Sequence, residues 1–159
     1  MAREPLHAGG KRLWNNERWT IVAPLKPRFR DTDAMGHINN AVYVTYLEVA
    51  RQEYWRAFRK DEDYRVVPFI LARVALDFRS EALMNETLEL CIRCAYVGQK
   101  SFGFEYIIRE LASHRLVVAA ESVQVFYDYA TKHSIPCPDD MRQSLTAFEG
   151  RSLTREVRS

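Results

Sequence analysis

The stretch RFRDTDAMGHINNAVYVTYLEVAR, from Arg28 to Arg51, joins an acid-rich turn to the start of an amphipathic segment. Two acids, Asp31 and Asp33, stand close to a glycine, a histidine and two asparagines. From residue 41 to about residue 58, apolar side chains recur at helical spacing without glycine or proline, which predicts one long helix. The stretch therefore predicts a turn that carries carboxylates to the N-terminus of a helix.

The residues on both sides of this stretch alternate between apolar and polar, which is typical of strands. From Trp19 to Phe29 the alternation predicts a first strand, and Pro24 and Pro27 would confine it to a sheet edge or a bulge. Four more strands are predicted at 67–78, 87–97, 101–109 and 116–129, followed by a short helix at 139–148. A single sheet wrapped around the long helix is the economical arrangement. We therefore predict an α+β fold with about five antiparallel strands, whose outer surface and edges invite pairing with another copy.

The length of 159 residues and a hydrophobic content of 47% fit one globular domain with its own core. We predict a loose leader over residues 1–17, one domain over residues 18–150, and an arginine-rich tail over residues 151–159. A formal net charge of only +2 argues against a nucleic-acid partner. The N-terminus lacks the apolar core of a signal peptide, and no apolar run approaches the roughly 20 residues of a membrane span. We therefore expect a cytoplasmic protein with no membrane partner.

Cys91 and Cys94 have the spacing of a metal-binding or redox pair. Because they lie three residues apart in a predicted strand, their side chains should point to opposite faces of the sheet. No second pair exists to complete a zinc site. We predict that both thiols are packing residues and that the protein holds no metal.

Carboxylates beside a helix N-terminus suit acyl transfer. Either acid, Asp31 or Asp33, could attack a carbonyl or deprotonate a water that does so. Backbone amides near Asn40 could stabilise the negative charge that then develops on the carbonyl oxygen, and His37 could orient the carboxylate or contact the acyl group. The alternative is that the acids only shape the turn and that Asn39 or Asn40 only caps the helix.

The run DTDAMGHINNAVYVTYLEVAR resembles the signature of the hot-dog-fold thioesterases, in particular the 4-hydroxybenzoyl-CoA thioesterase-like acyl-CoA hydrolases. The order of elements extends the resemblance from about Trp19 to Tyr129. It implies a hot-dog domain in which the antiparallel sheet wraps around the long helix. It further implies hydrolysis of acyl-CoA or acyl-carrier-protein thioesters without metal or cofactor, by a homodimer or homotetramer with active sites between subunits.

The resemblance also implies roles for individual residues. Asp33, the second acid of the family's Asp-x-Asp, corresponds to its catalytic carboxylate, and the amide that polarises the thioester carbonyl corresponds to Asn40. His37 stands where many relatives have a histidine. The sequence therefore predicts an acyl-CoA thioesterase in which Asp33 is the base or the nucleophile. The alternatives are an acyl-carrier-protein thioesterase and a non-catalytic acyl-binding protein that keeps only the scaffold.

Two further positions are expected to contact the substrate. Tyr43 falls where the family commonly has an aromatic residue lining the acyl pocket. The segment Gly98–Phe102 resembles the one that meets the CoA end of the substrate, which points to Lys100 and Ser101. Some relatives have several basic residues in this segment, whereas here Lys100 is the single one.

Overall fold

The computed structural model describes residues 18–60 and 68–155. The predicted leader over residues 1–17, and residues 61–67 and 156–159, lie outside the described residues. The elements are β1 (Ile21–Leu25), a 3-10 turn (Phe29–Asp31), α1 (Val42–Phe58), β2 (Phe69–Phe78), β3 (Leu88–Val97), β4 (Ser101–Glu110), β5 (Leu116–Asp128), β6 (His133–Ser134) and α2 (Asp139–Glu149). The two helices and the four long strands lie close to their predicted bounds, whereas β1 is shorter than predicted because the chain turns before Phe29.

The strands form an antiparallel sheet in the order β1-β3-β4-β5-β2, and β6 pairs with the end of β5. The predicted sheet of about five strands is thus confirmed. Pro24 lies in β1, at an edge of the sheet as predicted. The two-residue strand β6 was not predicted, because two residues are too few to show alternation.

The core lies between α1 and one face of the sheet. The buried face of α1 consists of Tyr43, Tyr46, Leu47, Ala50, Tyr54 and Trp55. The ring of Tyr54 lies 4.7 Å from that of Phe104 on β4, and Trp55 stacks on Phe69 of β2 at 5.1 Å. Fully burying a large apolar side chain contributes about 1.5–3 kcal/mol, so this aromatic-rich interface is a major source of the stability of the fold.

The direction of α1 places the acid turn at one end of the sheet. Tyr43, at the start of α1, packs on Phe78 at the end of β2, whereas Trp55 packs on Phe69 at the start of β2. The helix therefore runs antiparallel to β2. As a result, the acid turn lies where β2 ends and β3 begins, and the β3–β4 hairpin lies at the opposite end.

Residues after α2 continue along the sheet. Gly150 ends α2 with a φ of 67°, a left-handed conformation that glycine adopts without strain. Leu153 is buried, and its carbonyl accepts a hydrogen bond from Val97 N–H at 2.8 Å. The side chain of Arg151 donates to the carbonyl of Cys94. The described part of the predicted tail is thus packed against β3.

Candidate active site

The acid turn closes as a tight loop in front of α1. The Asn39 N–H donates to the Asp31 carbonyl at 2.9 Å, and the Asp33 N–H donates to the His37 carbonyl at 2.8 Å. Gly36 lies at the tip with a φ of 79°, which favours glycine because other residues are strained there. Backbone hydrogen bonds therefore hold both predicted acids in defined positions.

Asp33 presents one of its two carboxylate oxygens to solvent. Its Oδ1 accepts hydrogen bonds from the backbone N–H groups of Met35 at 2.8 Å and His37 at 3.2 Å. Within residues 18–60 and 68–155, no donor contacts its Oδ2, and the residue is exposed. The first oxygen fixes the orientation of the carboxylate, so the second can react with a bound group.

Asp31 has a different environment, although it stands only two positions away. It is 3% exposed, and its oxygens accept from the Arg28 backbone N–H at 2.9 Å, the Arg28 Nη2 at 3.1 Å and the Tyr46 hydroxyl at 2.8 Å. Burial pushes the pKa of Asp31 upward, but these hydrogen bonds outweigh it and leave the pKa below its ordinary value. Asp31 therefore ties the acid turn to the second turn of α1 and has no oxygen open to a substrate.

Arg28 and Tyr46 were not singled out by the sequence reasoning. Arg28 stands three positions before Asp31, a spacing that could have suggested an ion pair. Tyr46 lies 15 positions after Asp31, and no sequence signal connects the two.

The N-terminus of α1 has one capped amide and one unpaired amide. The Asn39 side chain accepts a hydrogen bond from Ala41 N–H at 3.0 Å, and the Asn39 carbonyl accepts from Val42 N–H at 2.9 Å. Asn39 therefore caps the turn that leads into α1, whose own N-cap position, Ala41, has no side-chain cap. The backbone N–H of Asn40 has no acceptor among the residues that the structure describes. An unpaired amide at a helix start carries partial positive charge and can bind a negatively charged oxygen.

His37 contacts Asp33 through its backbone rather than its ring. Its Nε2 lies 3.3 Å from Oε2 of Glu81, in the loop between β2 and β3. The same loop braces the turn, because Ile38 N–H donates to the Ala82 carbonyl at 2.9 Å and His37 forms a bridge with Leu83. The imidazole thus lies at the border of the acid turn, between the turn and this loop.

Tyr43 lies in the first turn of α1 and is 2% exposed. Its ring packs against Tyr46 at 5.9 Å and against Phe78 at 5.7 Å. Burial raises the pKa of Tyr43 to about 12, so the phenol stays neutral. Phe78 itself is 50% exposed, so an accessible apolar surface begins directly beside Tyr43.

Lys100 and Ser101 are not brought near Asp33 within one chain. They lie at the β3–β4 hairpin, and the ten residues of β3 put roughly 30 Å between the two ends of the sheet. Arg142 of α2, which sequence reasoning missed, donates to the carbonyls of Val97 at 3.1 Å and Gly98 at 2.8 Å. Arg142 therefore ties the hairpin to α2.

The described residues contain no group of three or more histidine, cysteine or acidic side chains that could hold a metal ion. The three cysteines, Cys91, Cys94 and Cys137, are free and buried. Cys94 belongs to the core beneath α1, whereas Cys91 lies outside that core, as the strand spacing predicted. In the same part of the chain, no helix is long and apolar enough to cross a membrane.

Comparison with known proteins identifies the family. The sequence profile of the thioesterase-like superfamily matches residues 27–145. Over 126 residues the chain is 21% identical to the long-chain acyl-CoA thioesterase FadM of Escherichia coli K12, covering 76% of this chain and 93% of that protein. The match to the uncharacterized protein YsmA of Bacillus subtilis 168 is 25% identical over 80 residues, which is 50% of this chain and 54% of YsmA, or about half its length.

A solved structure extends the likeness to the whole fold. It is a thioesterase from Thermus thermophilus complexed with coenzyme A and Zn, with a TM-score of 0.76 and 27% sequence identity. The superposition covers 85% of this chain and 98% of that one. Because the family profile spans most of the sequence and the architecture agrees, this chain belongs to the thioesterase-like superfamily, a family of thioester hydrolases, and has their hot-dog fold.

Proposed function

We propose that this chain hydrolyses acyl-CoA thioesters in the cytoplasm, with Asp33 as base or nucleophile. The observation that carries the proposal is the pairing of a carboxylate with one free oxygen and an unpaired helix-start amide at Asn40, both held by the same closed turn. The family, the activity of FadM and the coenzyme A in the Thermus thermophilus structure support a CoA thioester as the substrate.

The reaction would begin with the thioester carbonyl oxygen accepting a hydrogen bond from Asn40 N–H. As the carbonyl carbon is attacked, negative charge develops on this oxygen, and the partial positive charge of the helix start stabilises it. The attacking group is either the Asp33 Oδ2 or a water that gives its proton to it. In the first route the thiolate leaves a mixed anhydride on Asp33, which water then cleaves. Both routes yield the free acid and the thiol of CoA.

His37 and Tyr43 would shape the site around these two groups. The backbone of His37 fixes the Asp33 carboxylate, and its ring, held near Glu81, would border the thioester. Tyr43 and the half-exposed Phe78 would offer apolar surface to the first part of the acyl group. A neutral phenol suits this place, because it adds no charge next to Asp33.

We propose that the working unit is a homodimer or a homotetramer. The edge strand β2 exposes apolar side chains, with Leu71 at 43% and Phe78 at 50% exposure. A two-fold, antiparallel pairing of two β2 edges would place the hairpin end of one copy beside the acid turn of the other. Lys100 and Ser101 of one chain would then serve the CoA end of the substrate at the other chain's Asp33.

The decisive experiment compares the wild type with Asp33→Asn. Asparagine keeps a carbonyl oxygen that can accept from the Met35 and His37 amides, so the turn should keep its conformation. The free oxygen becomes an amide nitrogen that can neither attack nor take a proton. We expect turnover of an acyl-CoA panel, followed as thiol release, to fall on the order of a thousandfold. Asp140→Asn, on the exposed start of α2, is the matched control.

Retention of wild-type turnover by Asp33→Asn would exclude the assigned role. The same assay separates the alternatives. A faster reaction with an acyl-carrier-protein thioester than with the CoA thioester of the same acyl chain would indicate the carrier protein as substrate. Acyl-CoA binding without thiol release from any thioester would indicate a non-catalytic binding protein. Lys100→Ala should raise KM for acyl-CoA while kcat changes little, because Lys100 would contact only the CoA end.

A further inference from the structure

Helix α1 covers the edge strand β2 less completely than it covers β5. Val118 and Gln124 on β5 are both 0% exposed. Their cross-strand neighbours on β2, Phe78 and Leu71, are 50% and 43% exposed. We call the partly exposed apolar strip on β2, from Phe78 beside the acid turn to Leu71, the crevice.

Four polar side chains, which we call the polar floor, lie beneath this crevice. Arg51 Nη1 donates to the Tyr106 hydroxyl at 3.2 Å, and this hydroxyl lies 2.6 Å from Ser122 Oγ. Gln124 Nε2 donates to the same Ser122 oxygen at 2.5 Å. Ser122 and Gln124 are 1% and 0% exposed, and Gln124 pairs across the strands with the exposed Leu71. A buried hydrogen-bonded chain thus leads from α1 to β5.

The side-chain amide of Gln124, at the end of this hydrogen-bonded network, has an unsatisfied hydrogen-bonding atom. Gln124 Oε1 has no hydrogen-bond partner among the described residues, and turning the amide around would leave its NH2 group without one instead. The Nε1 of Trp55 is also buried and unpartnered. The Trp55 ring lies 6.4 Å from that of Phe102, which is the cross-strand neighbour of Gln124 on β4. Unpaired buried polar groups are rare in folded proteins, and two of them in one region point to a polar group that binds there.

We propose that the polar floor binds an oxygen substituent, a hydroxyl or a keto group, on an acyl chain that lies in the crevice. The inference rests on the proposed thioesterase function and names the substrate class. Arg51 follows Asn40 by eleven residues, or roughly 16 Å along the helix axis, and its side chain leans back towards the helix start. The substituent therefore lies well beyond the reach of a benzoyl ring, on a medium or long acyl chain.

The physical basis of the selectivity is the buried amide. A purely apolar chain that covers Gln124 leaves the amide without a partner in a dry environment, whereas an oxygenated chain supplies one. A site built to hydrogen-bond a substrate oxygen discriminates strongly against the analogue that lacks it. For one such contact we expect a preference on the order of tenfold in kcat/KM.

The test measures kcat/KM for octadecanoyl-CoA and for two hydroxylated analogues. The distal analogue has its hydroxyl at about carbon 10 to 12, the position that the helix spacing suggests. The proximal analogue has its hydroxyl close to the thioester. The wild type should prefer the distal hydroxyl about tenfold and gain nothing from the proximal one. Gln124→Leu should abolish this preference. Gln143→Leu, on the exposed face of α2, is the matched control and should keep it.

Equal rates of the wild type on the plain and the distally hydroxylated chain would overturn the inference, and so would an unchanged preference in Gln124→Leu. If that variant does not fold, Gln124→Met and Ser122→Ala, which disturb packing less, take its place with the same expected loss. Failure of the proposed function is distinguishable, because then no acyl-CoA of the panel releases thiol. Hydrolysis of all the acyl-CoA substrates at the same rate would refute only the proposed role of the polar floor.

Discussion

Removal of the Tyr46 hydroxyl tests how the acid turn is anchored. Tyr46→Phe deletes the donor that lies 2.8 Å from Oδ2 of the buried Asp31 and keeps the ring in the core. The carboxylate keeps the Arg28 backbone N–H at 2.9 Å and the Arg28 Nη2 at 3.1 Å. One of three good hydrogen bonds to a buried charge is therefore lost.

The expected cost follows from the charge on the acceptor. Hydrogen bonds to charged groups contribute about 1.5–3 kcal/mol, so we expect Tyr46→Phe to lower the free energy of unfolding by about 2 kcal/mol at pH 7. For a chain of this size the Tm should fall by roughly 4 to 8 °C.

The loss should depend on pH in a defined direction. Folding lowers the pKa of Asp31, so its carboxylate stabilises the folded state above the unfolded value of about 3.9. That contribution disappears as the pH falls through the lower folded value. The wild type and Tyr46→Phe should therefore differ fully at pH 7 and converge once the pH has fallen below the lowered pKa of Asp31.

Urea denaturation followed by circular dichroism from pH 3 to pH 8 measures this difference. Tyr129→Phe is the control, because the Tyr129 hydroxyl donates to the neutral Phe69 carbonyl at 2.9 Å and its loss should not vary with pH. A Tyr46→Phe protein as stable as the wild type at pH 7, or a difference in stability that stays constant as the Asp31 carboxylate becomes protonated in both folded proteins, would refute the anchoring role of Asp31.

Three further predictions concern other buried parts of the fold. Glu149→Leu should lower the free energy of unfolding, measured by urea denaturation, by about 3 kcal/mol, because the Tyr54 hydroxyl and the Cys94 N–H lose their buried acceptor. A decrease of less than about 1 kcal/mol would contradict this prediction. Gly103→Ala should lower the free energy of unfolding by about 2 kcal/mol, since the new methyl group would overlap the neighbouring tyrosine ring on β3. An unchanged Tm would show that the ring can move away. Burial raises the pKa of Cys91 to about 11, so iodoacetamide at neutral pH should alkylate it only after unfolding. Mass spectrometry of the alkylated peptides measures this.

The position of the turn and the cap of α1 could be predicted because they depend on neighbouring residues. Asparagine before an apolar periodic segment indicates a helix start, and Asn39 takes that role. The different environments of Asp31 and Asp33 could not be predicted from spacing. One is buried because Tyr46 reaches it from the second turn of α1, and the other is exposed at the tip of the loop.

Only one member of the polar floor, Gln124, left a signal in the sequence. The members come from α1, β4 and β5, and the other three stand in ordinary helix or strand patterns. Gln124 occupies a strand position that alternation assigns to the buried face, where a polar residue contradicts the pattern. That contradiction was the one available hint. Ser122 lies two residues away on the same strand, but only the register between β4 and β5 brings Tyr106 to Ser122.

Periodicity along the chain was sufficient for the long helix, the four long strands and their antiparallel arrangement around one core, because it records which side of each element avoids water. The strand order, with β2 beside β5 at an edge, depends on pairing between residues far apart in the chain. The same long-range pairing puts Lys100 and Asp33 at opposite ends of the sheet, although the sequence predicts both as residues of one site. Local sequence encodes the elements and the acid turn, whereas burial, strand neighbours and the distance between motifs arise when the sheet closes around the helix.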